Sequence, residues 1–135
     1  MVAIQQYYKV QYNLRVQHID DIALLYKYSW VSLGSTTPSY DWDRNGKGFR
    51  DWLSPGCGTV LIHDDWEPYK EIFDGVVPMY EYGDSSSLVV IMENLKKDQK
   101  MYNHYWQQQN RWIEQNTIEQ QIYRAIKDEK VLCCL

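Results

Sequence analysis

The sequence predicts an α+β domain, with a mainly antiparallel sheet, helices packed on one face of it and a long C-terminal helical segment. Three observations lead there. Residues Tyr8 to Val16 alternate apolar and polar with a period of two, two pairs of segments are joined by turn-forming residues, and apolar residues recur at helical spacing from Leu95 onward. The resulting order of strand, helix, hairpin, strand, short helix, hairpin and long helix suits a sheet with helices gathered on one side.

The first strand places Tyr8, Val10, Tyr12, Leu14 and Val16 on one face and Lys9, Gln11, Asn13, Arg15 and Gln17 on the other. Ile19, Ile22, Ala23, Leu25, Tyr26 and Trp30 then follow helical spacing, with Asp20 and Asp21 in the first turn, where carboxylates oppose the helix dipole. A helix over 19–31 ending at Gly34 is expected. Asn45-Gly46 is the preferred pair for a two-residue hairpin turn, and a hairpin centred there sets Trp42 opposite Phe49 and Asp41 opposite Arg50. Thr59 to His63 reads as a short apolar strand, and 65–73 as an acidic helix stopped by Gly75. Residues 76–82 and 88–93 read as strands joined by Gly83-Asp84-Ser85-Ser86-Ser87, with Pro78 marking an edge.

In the C-terminal segment Leu95, Tyr102, Tyr105, Trp106, Trp112 and Ile113 form one stripe, and Ile118, Ile122, Ala125 and Ile126 a second, out of phase with the first. A helix break near Asn116-Thr117 is the favoured explanation, because Thr117 and Gln120 have capping-box spacing. A continuous helix with two apolar faces is the alternative, and it would suit a homodimer.

Composition limits the function classes. The 135 residues fit one domain, taken here as 1–135, and with 44% apolar and 24% charged residues the chain is expected to fold. Residues 41–93 hold eleven Asp/Glu against four Lys/Arg, whereas the largest basic cluster is Lys96, Lys97 and Lys100. Nucleic acid is therefore disfavoured as a ligand, and the acidic middle suits a basic protein partner. The three cysteines, together with a start lacking signal-peptide character, predict free thiols and a cytoplasmic location with no membrane span. Twelve Tyr and six Trp supply large apolar area with polar handles, the composition of interface hot spots as well as of cores.

Local motifs are few. Asp41, Asp43 and Asn45, followed by Gly46, match the first half of a calcium loop, in which alternate oxygens converge on a hard cation. The bidentate Glu expected at the twelfth position is replaced by Trp52, Arg44 and Lys47 lie within the loop, and a hairpin accounts for the same residues. His18, His63 and His104 have no local zinc spacing and read as ordinary histidines. Cys57 between two glycines would be an accessible thiol, with His63 or His18 as its base, but such turns accept Cys as a small residue. Gly46-Lys47-Gly48 lacks phosphate-loop spacing.

With no convincing catalytic set, the leading expectation is a non-enzymatic protein–protein interaction module, of the type viruses and mobile elements encode as inhibitors or immunity-type accessory proteins. Its contact residues are expected among Tyr40, Trp42, Trp52, Trp66, Tyr69 and Trp106. The alternative is a small-molecule binding domain or minor enzyme, with an aromatic-lined pocket between the sheet and the C-terminal helix.

Overall fold

The computed structural model describes residues 19–35, 49–65, 67–73, 75–117, 119–120 and 122–123. Its elements are α1 (Ile19–Lys27), β1 (Val31–Leu33), α2 (Phe49–Gly56), β2 (Val60–Asp64), α3 (Glu67–Phe73), β3 (Met79–Tyr80), α4 (Ser85–Lys97) and α5 (Gln99–Gln115). The expected strand at Tyr8 to Val16, the Asn45-Gly46 turn and residues Ile118, Ala125 and Ile126 lie outside the described residues.

Among the described residues the sheet is parallel, which overturns the antiparallel expectation. Its order is β1-β2-β3, with Ser32 in register with Leu61 and His63 with Met79. Both expected hairpins fail for identifiable reasons. Phe49 and Arg50 begin helix α2, so they are not strand partners of Trp42 and Asp41. The serine-rich loop starts a helix because Asp84 is its N-cap: the carboxylate accepts from the Ser86 and Ser87 amides at 2.8 and 3.2 Å. Leu88, Met92 and Leu95 then fall on the buried side of α4, and the run read as a strand is helical.

Helices lie on both faces of the sheet, not on one. Val60 and Ile62 pack with Leu88, Met92 and Leu95 of α4, while Leu61, one residue out of phase, packs with Tyr69 and Phe73 of α3. Every residue of β2 is buried, the pattern of a central parallel strand covered on both sides. The helix at the start is also shorter than expected. It ends at Lys27, and Val31 opens β1 rather than closing the helix.

Helix α5 lies across the edge of the sheet. Tyr102 and Tyr105 join the hydrophobic cluster of one face, and Trp112 joins that of the other. Between them Gln109 reaches the backbone of β2: its Oε1 accepts from Leu61 N–H at 2.8 Å and its Nε2 donates to Leu61 O at 2.9 Å. The His63 and Asp65 amides donate toward β3, to Pro78 O and Tyr80 O. Backbone groups alternate sides along a strand, so those of Leu61 point the same way, where β3 has not yet begun to pair. The Gln109 carboxamide thus stands in for missing strand backbone.

Asp98 closes α4 and opens α5. Its N–H donates to Asn94 O, and its carboxylate accepts from the Lys100 and Met101 amides. As expected, α5 stops at Asn116, and Thr117 Oγ1 accepts from Gln120 N–H at 3.2 Å.

Candidate functional site

Two places stand out, at opposite ends of the strands. At the carboxyl end of β2, His63 is 1% exposed and lies between two buried carboxylates. Its Nδ1 is 2.9 Å from Asp64 Oδ1 and 3.1 Å from Asp64 O, and its Nε2 is 3.7 Å from Asp51 Oδ1 on α2. Tyr69 of α3 stacks on the ring at 4.0 Å. Gly34, just after β1, lies so close that a Cβ there would collide with the imidazole. Tyr80 of β3 closes the arrangement by donating its hydroxyl to Gly34 O at 3.1 Å. Burial opposes the charged imidazole, but hydrogen bonds to Asp64 and the charges of Asp51 and Asp64 outweigh it and raise the pKa above the ordinary histidine value. Burial, followed by the Asp64 charge, likewise pushes Tyr80 up.

The second place is an apolar surface at the amino ends of β1 and β2. An open groove of about 390 Å³ runs between α1 and the end of α2, lined by Ala23, Leu24, Lys27 and Cys57. Leu24 is 50% exposed, and Tyr28, one helical turn further on, is 81% exposed. Beside Cys57, Gly58 has a positive φ of 86° and its carbonyl accepts from Trp106 Nε1–H at 3.0 Å. That bond fixes the Trp106 indole on the surface while leaving it 42% exposed. The Thr59 hydroxyl donates to Tyr26 O and holds α1 to the start of β2. Burial raises the Cys57 pKa, which keeps the thiol protonated and poorly nucleophilic.

The expected contact residues divide among these surroundings. Trp106 lies on the amino-end surface, whereas Tyr69 is a core residue at 6% exposure. Trp52 is half-buried against Trp112 at 4.5 Å, and Trp112 continues through Phe73 to Tyr69 in one chain of rings. Tyr40, Trp42 and Trp66, and the calcium candidates Asp41, Asp43 and Asn45, lie outside the described residues, as does His18. Cys57 and His63 do not form a pair, because they precede and occupy opposite ends of a strand that rises about 3.3 Å per residue. His104 is exposed on α5, edge-on to Tyr105. No three His, Cys, Asp or Glu among the described residues form a metal-binding group.

Sequence reasoning missed Asp51, Gly34, Leu24 and Tyr28. For the last two a signal existed, since both are large apolar residues off the apolar stripe of the helix expected over 19–31 and four positions apart.

No protein-family model matches the chain, and neither curated proteins nor solved structures show a significant similarity to it. Among the described residues no helix is long and apolar enough to cross a membrane.

Proposed function

We propose that this chain is a non-enzymatic interaction module that docks a protein partner on the amino-end surface. The observation that supports this is the exposure of Leu24 in the groove wall, of Tyr28 next in the chain to the groove residue Lys27, and of Trp106 bonded to Gly58, which follows the groove residue Cys57. A side chain held in place, as Trp106 is by its bond to Gly58, binds at low entropic cost, and Trp and Tyr are enriched among hot-spot residues. Lys27 in the groove wall selects the partner's chemistry: an apolar side chain flanked by a carboxylate. The test is affinity capture of the tagged chain from host lysate, compared with Tyr28→Ala and Trp106→Ala variants. A stoichiometric partner held by the parent and lost from both variants, at unchanged thermal midpoint, supports the proposal. Equal capture by all three refutes it.

A second reading, a small-molecule site, is favoured by one observation. The carboxyl ends of parallel strands, where α/β sheets bind ligands, here bring Ser35, Asp65 and Tyr82 toward solvent around the buried His63. A thermal-shift screen of polar metabolites tests it, and a hit abolished by Tyr82→Ala but retained by Tyr28→Ala would favour it over the interaction reading.

A further inference from the structure

We propose that Asp51, His63 and Asp64 form a proton-operated latch that holds α2 against the sheet. The geometry distinguishes the two ring nitrogens. Nδ1 faces two acceptors on its own strand, the side-chain and backbone oxygens of Asp64 at 2.9 and 3.1 Å, so its N–H is retained in either charge state. The ionisable proton is therefore the one on Nε2, and what Nε2 faces is Asp51 on α2 at 3.7 Å. Losing that proton leaves a lone pair opposed to a carboxylate that is 3% exposed. The contact between the two elements loses its charge attraction in a site that water does not screen.

Among the described residues Tyr69 of α3 stacks on the ring and Tyr80 of β3 bonds Gly34 O beside it, and burial pushes Tyr80 above the ordinary tyrosine range. Gly34 after β1 contributes no charge. The folded state holds the His63 proton more tightly than a free imidazole does. The latch is therefore fully closed below the ordinary pKa of 6.5 and opens as pH rises through the higher folded value. This device is independent of the interaction reading, because its readout lies within the chain.

The next residue of α2, Trp52, reports the opening, since its ring packs on Trp112 of α5 at 4.5 Å. The full chain labelled with 5-fluorotryptophan is titrated from about pH 5 to about pH 9, a span that brackets histidine ionisation. The fluorine resonance of Trp52 and the ring proton of His63 are followed together, with far-ultraviolet circular dichroism as a check on the overall fold. Both signals are expected to move with one midpoint above 6.5 while the fold is retained. In Asp51→Asn the His63 midpoint should fall and the Trp52 response should fall with it. A Trp52 resonance that stays still while His63 titrates overturns the latch, as does a His63 midpoint at or below 6.5 or an absence of titration. Cooperative loss of the whole fold at that midpoint also overturns it. If Asp51→Asn does not fold, the parent titration alone decides.

Discussion

Replacing Gln109 with Ala tests the claim that a helix side chain completes the sheet. The substitution removes the acceptor of Leu61 N–H and the donor to Leu61 O, both in the interior, where Leu61 is 0% and Gln109 2% exposed. A buried backbone group left without a partner costs about 1–3 kcal/mol, so two such groups cost about 2–6 kcal/mol. Domains of this size are stable by about 5–15 kcal/mol, which makes this single change a large fraction of the total. Equilibrium urea unfolding of the parent, Gln109→Ala and the exposed neighbour Gln107→Ala measures it. The neighbour should stay within about 0.5 kcal/mol of the parent. Hydrogen exchange at the Leu61 amide adds a local readout, because protection there should fall by more than the global loss requires. A Gln109→Ala chain as stable as Gln107→Ala would mean that water or backbone shifts satisfy Leu61, and the argument from sheet geometry would be refuted.

Two further outcomes follow from individual positions. Gly34→Ala should destabilise by about 1–3 kcal/mol, the usual cost of forcing atoms into a packed interior, because the new methyl meets the His63 ring. Gly56→Ala, whose Cβ meets nothing within 4 Å, should be neutral or stabilising, and thermal unfolding separates the two. Asp84→Ala should lower the thermal midpoint by uncapping α4, and Asp84→Asn should lower it less, since its single amide oxygen can still accept from one of the Ser86 and Ser87 amides.

Local chemistry was legible where one interaction dominates. The run from Thr59 to His63 gave its strand, Gly75 the end of α3 with a φ of +67°, and the Thr117–Gln120 spacing the break after α5. Strand direction was not legible in the same way, because it depends on what covers the strand. The uninterrupted apolar run Val60-Leu61-Ile62 was the available sign of a strand buried on both faces, and such strands are commonly parallel. The Gly83 to Ser87 stretch carried two meanings, hairpin loop and helix cap, and the 88, 92, 95 spacing after it decides for the cap. Gln109 lay within a row of amides that nothing local distinguishes, since its role is set by the backbone of a residue 48 positions earlier. The same holds for the latch: His63-Asp64 was visible as a strand end, but Asp51 joins it only through the placement of α2. On the amino-end surface Trp106 was foreseeable as an aromatic, whereas its partner Gly58 was not.

The substitution of a glutamine for strand backbone also orders events in time. Among the described residues three side chains of α5 bond to earlier parts of the chain, Tyr102 to Trp30, Trp106 to Gly58 and, through two bonds, Gln109 to Leu61, across separations of 72, 48 and 48 residues. A chain leaving the ribosome therefore contains the residues of β2 well before the group that satisfies Leu61 has been synthesised. Until then the backbone groups of Leu61 lack their Gln109 partner, and unpaired strand groups are of the kind that recruits other strands. Completion of the sheet waits for the arrival of α5, and contacts this distant in sequence are the ones that slow folding.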